Sequence, residues 1–200
     1  MLSTCRRDYP SWRKGRERYL VWVIPITDDA WAGELGRAQT RLAPFLLNGY
    51  LRALHITVFV CGFDCTEVTF DDDFSPAAMS AQLDLIRSEP PRQFRLEALG
   101  YSSFRSAPVL MLSDTDSGLR ALRKKLQPIS TELRFEPYKP HVTLGLYQAP
   151  YATATVAQAL KSLRLLQSGF LQVTRLQLVS YAAREISGEF SLIREFRLDT

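Results

Sequence analysis

Leu54-His55-Ile56-Thr57-Val58 is a short apolar stretch that has a counterpart in Pro140-His141-Val142-Thr143-Leu144. These stretches hold both histidines of the 200-residue chain, and each histidine is followed two positions later by threonine. The apolar, largely β-branched residues around them are typical of β-strands. The sequence therefore predicts two strands that occupy equivalent places in the fold.

An internal repeat extends upstream of both histidines. From Val21 to His55 is 34 residues, and from Val109 to His141 is 32. Both spans show the same order of patterns, a strand, then a helix and a loop, and finally the histidine strand. The chain is thus expected to contain two similarly built halves, with a hinge near Glu89.

In the first half, β-branched and aromatic residues predict a buried strand over Tyr19 to Ile26. Asp28 is expected to cap a helix that runs to about Leu47. The next predicted elements are the histidine strand Leu54 to Phe63 and a helix from Ser75-Pro76 through Ile86.

In the second half, Ser117 is expected to cap a helix with an apolar stripe at helical spacing. That stripe consists of Leu119, Leu122, Leu126 and Ile129. The other predicted elements are a helix from about Ala152 to Leu166 and the strands Phe94 to Leu99, Val109 to Leu112, His141 to Tyr147, Phe170 to Tyr181 and Phe190 to Leu198.

The composition, with 46% hydrophobic and 23% charged residues, is that of an ordinary soluble globular protein. No run approaches the roughly 20 apolar residues of a membrane span, and Leu20 to Ile26 is too short for a signal peptide. Three cysteines do not suggest a disulfide framework. We expect a cytoplasmic monomer without a membrane partner, in which residues 1–200 form a single bilobal domain with a basic N-terminal arm at about 1–18.

The positive charge of the chain is concentrated in that arm, although the net charge is only +4. The basic residues are Arg6, Arg7, Arg13, Lys14, Arg16 and Arg18. Such a patch can attract a polyanion such as RNA, and a simple solvated arm is the equal alternative.

Strand geometry predicts what the two histidine motifs do. Side chains at positions i and i+2 of a strand point to the same face, roughly 7 Å apart, so each motif presents an imidazole beside a hydroxyl. Two such strands facing each other would surround a tetrahedral phosphate, with one histidine of the pair His55 and His141 as general acid and the other as general base. Thr57 and Thr143 would donate hydrogen bonds to the non-bridging oxygens. These four residues are the predicted catalytic set for phosphodiester hydrolysis.

Other interpretations of the motifs involve no such chemistry. Each histidine can be a polar residue satisfied within a sheet, and Cys61 and Cys65 could join His55 around zinc. Zinc sites need three or four well-placed protein ligands, so no metal and no cofactor is predicted. The run Asp71-Asp72-Asp73 is expected to be a loop without a partner motif for Mg²⁺. The sequence contains no Walker A loop, no G-x-S-x-G and no H-E-x-x-H.

The paired H-x-T motifs, strand-borne and about 85 residues apart, resemble the signature of the 2H phosphoesterase superfamily. The segment from Pro137 to Leu144 is particularly similar to the second motif of the RNA 2′,3′-cyclic phosphodiesterases, historically called 2′-5′ RNA ligases. The resemblance implies an α+β bilobal fold, in which two antiparallel sheets with pseudo-twofold symmetry, flanked by helices, place the motifs across a central cleft. In many relatives a basic residue follows the second motif, where this chain has Gly145 and Leu146.

The resemblance also implies a metal-independent hydrolase that opens a 2′,3′-cyclic phosphate, in most such enzymes to a 2′-phosphate. The expected substrate is an RNA 3′ end or a small cyclic nucleotide, and Tyr138 and Phe104 offer aromatic faces for a base. Ordinary packing is the alternative role for both rings. Three alternatives stay open: ligation as the reverse activity, another cyclic or 2′-5′-linked nucleotide as the substrate, and a non-catalytic RNA-binding module. The choice of which histidine is the acid also stays open.

Overall fold

A computed structural model describes residues 1, 9–132, 137–164 and 169–200 of the chain. Its strands are Arg18–Pro25 (β1), His55–Asp64 (β2), Asp73–Phe74 (β3), Phe94–Ser103 (β4), Pro108–Ser113 (β5), His141–Thr143 (β6), Phe170–Val173 (β7), Arg175–Ala182 (β8) and Ser191–Arg197 (β9). Its helices are Pro10–Arg13 (α1), Asp29–Leu42 (α2), Pro76–Ser88 (α3), Gly118–Leu126 (α4) and Thr153–Lys161 (α5). In this described part, no helix has both the length and the apolar character that crossing a membrane requires.

Eight strands form a continuous antiparallel array in the order β7-β4-β5-β6-β2-β1-β8-β9, and β3 adds to β2 in parallel. Each half of the array has four strands, and the halves meet where β6 pairs with β2. The unit β1-α2-β2 in one half corresponds to β5-α4-β6 in the other. The predicted α+β fold class is confirmed, and the two predicted antiparallel sheets are the halves of one sheet, joined where β2 pairs with β6.

Helix α2 begins as the sequence predicts, because Asp28 Oδ1 accepts a hydrogen bond from the Trp31 backbone N–H at 2.9 Å. It ends at Leu42 rather than at Leu47, and a 3₁₀ turn follows over Ala43–Phe45. Pro44 explains the early end, since it has no N–H with which to continue the helical hydrogen bonds. The buried face of α2 consists of Trp31, Leu35, Ala38 and Leu42.

The predicted cap of α4 is wrong. Ser117 has a left-handed backbone with a φ of 59° and makes no side-chain capping bond. Asp114 caps the helix instead, since its carboxylate accepts from the N–H groups of Leu119 at 3.1 Å and Arg120 at 2.8 Å. The predicted apolar stripe is buried within the helix except for Ile129, which lies beyond its end.

The strand predicted from Phe170 to Tyr181 is in fact two strands, because the chain passes at Thr174 from one half of the sheet to the other. On one side of that residue β7 pairs with β4, and on the other side β8 pairs with β1. The predicted strand from His141 also ends early, at Thr143. Helix α5 ends at Lys161, and the last two positions of the longer predicted helix fall outside the described residues.

The basic arm and the acidic run are partners rather than separate features. Arg16 Nη1 lies 2.5 Å from a carboxylate oxygen of both Asp72 and Asp73, and Arg18 pairs with Asp64. Two of the six basic side chains of the arm are therefore paired with carboxylates within the molecule. The predicted contributions of Arg6 and Arg7 lie outside the described residues.

Strand β1 is buried on both faces, which explains its continuous apolar sequence. One face belongs to the main core, and the other forms a smaller apolar cluster with residues of β2 and β8. The members of this smaller cluster are Tyr19, Val21, Val23, Phe63, Val179 and Ala183.

A nearly buried ion pair attaches α4 and the segment after it to β2. Arg123 Nη2 lies 2.5 Å from Glu132 Oε2, and the side chains are 11% and 5% exposed. Arg123 also donates to the carbonyl of Val58 at 2.5 Å, while Glu132 accepts from the N–H of Val60 at 2.9 Å. The pair thus provides hydrogen-bond partners for the Val58 carbonyl and the Val60 N–H of β2, in the part of that strand that extends beyond the end of β6.

Replacing Glu132 should therefore destabilise the fold strongly. Glu132→Ala leaves the Arg123 guanidinium buried without its carboxylate, which should lower the free energy of unfolding by about 3–5 kcal/mol. The matched control is Asp84→Ala, which breaks the pair of Asp84 with Arg87, whose side chains are 62% and 60% exposed. The control should cost at most about 1 kcal/mol in urea unfolding, and equal small losses in the two variants would contradict this role for Glu132.

Candidate active site

Strands β2 and β6 lie side by side, in an antiparallel register that pairs Ile56 with Val142. Both of these side chains are completely buried in the main core. Because successive side chains of a strand point to opposite faces, the residues that flank this pair project from the other face of the sheet.

The same register places His55 opposite Thr143 and Thr57 opposite His141. All four side chains are half-buried. Three of them, His55, Thr57 and Thr143, line a cavity of about 510 Å³. The fold thus brings the four residues predicted to be catalytic onto one face of one strand pair, which is the arrangement that two-histidine chemistry on a phosphate needs.

The two imidazoles are held in the same way. His55 Nδ1 lies 2.7 Å from the carbonyl oxygen of Ala53, and His141 Nδ1 lies 2.6 Å from that of Lys139. A carbonyl oxygen only accepts hydrogen bonds, so Nδ1 is the protonated nitrogen of each ring. In the neutral form of each histidine the lone pair is therefore on Nε2, which is the nitrogen able to accept a proton.

Each imidazole also meets the edge of a phenylalanine. The ring centroids of His55 and Phe190 are 4.7 Å apart with an interplanar angle of 77°, and those of His141 and Phe104 are 4.8 Å apart at 84°. Phe104 was predicted to bind a base and here contacts a histidine of the site. Phe190 was missed by the sequence reasoning, because it lies 135 residues after His55 and belongs to no motif.

Tyr138, the other predicted base-binding residue, connects the two motif strands. Its hydroxyl donates to the backbone carbonyl of Thr57 at 2.8 Å, and the Arg123 guanidinium lies 3.9 Å from the centre of its ring. These contacts give Tyr138 a structural role beneath Thr57. Base stacking on Tyr138 stays a prediction.

The pKa of His55 is lowered from 6.5 to about 4, chiefly by burial; the hydrogen bond to Ala53 opposes this shift, and the positive charges of Arg52 and His141 add to it. Removing the imidazole from water disfavours its charged form. His55 is therefore neutral at neutral pH, with its lone pair on Nε2, which suits it to accept a proton.

Four aromatic residues and one arginine contribute to the rest of the cavity wall, beside small, aliphatic and acidic residues. These five are Tyr9, Trp12, Tyr50, Tyr181 and Arg52. The aromatic four were missed because they come from segments far apart in the sequence, with no motif of their own. The position of Arg52 in the sequence did indicate a place near the site, because it precedes His55 by three residues, as Tyr138 precedes His141.

The position after the second motif cannot accommodate a side chain easily. Gly145 has a φ of 151°, and a Cβ there would lie 3.0 Å from Leu46 Cδ1. Leu146 lines the cavity with an apolar side chain. The wall near the second motif is therefore uncharged at these two residues.

The cysteines considered as zinc ligands do not join His55. Cys61 is buried in the main core, with its Sγ 3.6 Å from Gln82 Oε1, and Cys65 is half-buried. Across the described ranges, no three residues among His, Cys, Asp and Glu are grouped as metal ligands would be.

The sequence matches the family model of the 2′-5′ RNA ligase superfamily over residues 27–185, a span that holds both motifs. No curated protein matches the chain. Escherichia coli LigT, solved with 3′-AMP, is similar in structure with a TM-score of 0.62 and 16% identity, over 92% of this chain and 99% of that chain. Two further solved structures show the same fold. For TT0787 of Thermus thermophilus the TM-score is 0.56 at 17% identity, covering 90% of this chain and 97% of that one. For Kluyveromyces marxianus Usb1 it is 0.52 at 13% identity, covering 92% and 98%.

The environment of His55 predicts an unusual titration. In NMR spectra its imidazole resonances should shift with a midpoint near pH 4, well below the value of 6.5 for a free histidine. His141→Gln leaves His55 as the sole histidine and so assigns the signal. A midpoint at or above 6.5 would contradict the burial of this imidazole.

The same pKa difference links His55 to stability. Between pH 6.5 and about 4 the unfolded chain binds a proton at this position that the folded chain does not. The free energy of unfolding should therefore fall as the pH falls through that window. His55→Gln should be less sensitive to acid over the same range in urea unfolding experiments, and an unchanged pH dependence would argue against this linkage.

Proposed function

The chain belongs to the 2′-5′ RNA ligase superfamily, whose members are 2H phosphoesterases, and on that basis we propose that it hydrolyses the 2′,3′-cyclic phosphate of an RNA 3′ end or a nucleotide. The observation that supports this most is the shared face of β2 and β6, which carries two imidazoles and two hydroxyls. Each imidazole is fixed through Nδ1, so both Nε2 atoms serve the chemistry.

In the proposed reaction His55, neutral at physiological pH, takes a proton from water through Nε2. The resulting hydroxide attacks phosphorus, a new P–O bond forms, and the bond from phosphorus to the 3′ oxygen breaks. His141 gives its proton to that leaving oxygen, and the product carries a 2′-phosphate. The hydroxyls of Thr57 and Thr143 donate to the non-bridging oxygens as negative charge builds on them.

The aromatic wall of the cavity supports a nucleotide as the substrate. Tyr9, Trp12 and Tyr50 line the same space as His55, and stacking of one base on such a ring is worth roughly 1–3 kcal/mol. The fold relative E. coli LigT was solved with 3′-AMP. These rings, together with the predicted Tyr138 and Phe104, are candidates to hold the base next to the cyclic phosphate.

Removing either histidine should abolish most of the activity. His55→Ala and His141→Ala should each slow hydrolysis of a 2′,3′-cyclic nucleotide by about 10²–10⁴-fold, the usual contribution of a positioned acid or base. Initial rates followed by chromatography, with EDTA present, measure this. Near-normal rates in either variant would refute the two-histidine mechanism, and RNA binding without any turnover in the wild type would favour a binding module.

The pH profiles of kcat/KM and kcat should report the ionisation of the histidines in the free enzyme and in the substrate complex, respectively. The acidic limb of kcat/KM should follow His55 in the free enzyme, near pH 4, because protonated His55 cannot accept a proton. A bound phosphate anion favours the protonated imidazole, so the acidic limb of kcat should lie at higher pH. Loss of the proton on His141 should give the alkaline limb. A profile without an acidic limb would count against His55 as the base.

The threonines should contribute through their hydroxyls alone. Thr57→Val and Thr143→Val keep the β-branched shape and should each cost roughly 1.5–3 kcal/mol in kcat/KM, the value of a hydrogen bond to a charged oxygen. Thr40→Val is the matched control, because the Thr40 hydroxyl bonds Gly36 within α2, away from the cavity. Equal kinetics in all three variants would show that the hydroxyls do not contact the phosphate.

A further inference from the structure

Arg52 is a cation held in place by aromatic rings in the wall of the cavity. Its guanidinium carbon lies 4.1 Å from the ring centre of Tyr181 and 5.3 Å from that of Phe190. Phe190 is also the ring that meets His55 edge-on. One phenylalanine therefore contacts both the guanidinium and the imidazole, which places Arg52 close to the reacting end of the cavity.

The hydrogen bonding of this guanidinium is incomplete. Arg52 Nε donates to the carbonyl of Gly188 at 3.3 Å, but Nη2 is buried and has no hydrogen-bond partner. It is the one buried side-chain nitrogen or oxygen in this state among the described residues. An unsatisfied donor on a buried cation is costly, so its presence calls for an explanation, and binding of a ligand is one that the position of Arg52 in the cavity wall supports.

The protein supplies no carboxylate that would complete the site within its described part. The acidic residue in the same wall, Glu185, lies 3.9 Å from the side chain of Arg184. An anionic ligand that enters the cavity is the group that matches the unfilled donor of Arg52. The planar guanidinium can donate to two oxygens of one phosphate at once. Because stacking on Tyr181 already restricts the Arg52 side chain, less conformational entropy is lost when the phosphate binds.

Resting on the proposed function, we propose that Arg52 binds the phosphate undergoing reaction, its guanidinium turning on Tyr181 to donate to a non-bridging oxygen beside His55. This contact would complement the hydroxyls of Thr57 and Thr143, which come from the strand pair itself. The corresponding position of the second motif, three residues before His141, holds the uncharged Tyr138, which is not among the residues that line the cavity. Arg52 is then the cationic contact that the first half of the fold contributes to the site.

Inorganic phosphate is the probe, since its binding is measured without turnover. In calorimetry, Arg52→Met should weaken phosphate binding by about 10- to 100-fold, the effect of losing one or two charge-assisted hydrogen bonds. Arg52→Lys keeps the positive charge but lacks the planar guanidinium with its paired N–H donors, so it should lose less of the phosphate affinity than Arg52→Met does. Arg184→Met, which removes a 75% exposed side chain near the cavity, is the matched control and should bind like the wild type.

Thermal unfolding without phosphate separates binding from a structural role. If Arg52 is kept for the ligand, the Met variant should melt no lower than the wild type, because a buried unsatisfied cation has been removed. A lower melting temperature together with unchanged phosphate affinity would overturn the proposal and assign Arg52 to packing.

Kinetics distinguish failure of this inference from failure of the proposed function. Arg52→Met should lower kcat/KM even for a cyclic mononucleotide, whose sole phosphate is the reacting one. Two results would overturn the role of Arg52 and leave the activity standing. One is a loss of kcat/KM that is confined to oligonucleotide substrates. The other is cyclic phosphate hydrolysis by the Met variant with an unchanged affinity for phosphate. Arg52-dependent phosphate binding by a protein that does not hydrolyse cyclic phosphates would refute the proposed function and leave Arg52 as an anion-binding residue.

Discussion

The short antiparallel pairing of Ile56 with Val142 is the constraint on which the rest of the structure depends. It joins the two halves of the sheet, and by burying both side chains in the core it directs both H-x-T motifs to the opposite face. A shift of one residue in this register would turn one motif into the core. Because this pairing is short, β2 extends beyond it, and there the Arg123–Glu132 ion pair forms hydrogen bonds with the backbone of β2. The geometry of the site thus follows from burial on the far side of the sheet.

The site is symmetric in construction and asymmetric in charge. Each imidazole has the same backbone carbonyl contact and the same kind of phenylalanine neighbour. The position three residues upstream differs, since Arg52 accompanies His55 while Tyr138 accompanies His141. Burial together with the Arg52 charge holds the pKa of His55 low and keeps it neutral. The duplicated halves therefore supply equivalent scaffolds, and their different neighbours support the proposed roles of His55 as base and His141 as acid.

Much of this could be predicted from the sequence, because strand alternation and helical stripes are local patterns. The motif strands, the Asp28 cap and the repeat followed from such patterns, whereas the family followed from the resemblance of the two H-x-T motifs, and both the fold class and the family are confirmed. The failures have a common physical cause. The split at Thr174 depends on which strands meet, and the Asp114 cap replaces Ser117 because of the path of a loop. Phe190 likewise reaches His55 from a remote segment. Periodicity contains no information about such long-range contacts.

The central claim is that the two histidines act on one phosphodiester, and product analysis tests it most directly. An oligonucleotide ending in a 2′,3′-cyclic phosphate, incubated with the protein and EDTA in ¹⁸O-labelled water, can be followed by ³¹P NMR and mass spectrometry. The cyclic phosphate signal should be replaced by that of a 2′-phosphomonoester carrying one oxygen from water. An unchanged cyclic phosphate, or turnover that EDTA abolishes and a divalent metal restores, would contradict acid–base catalysis by His55 and His141.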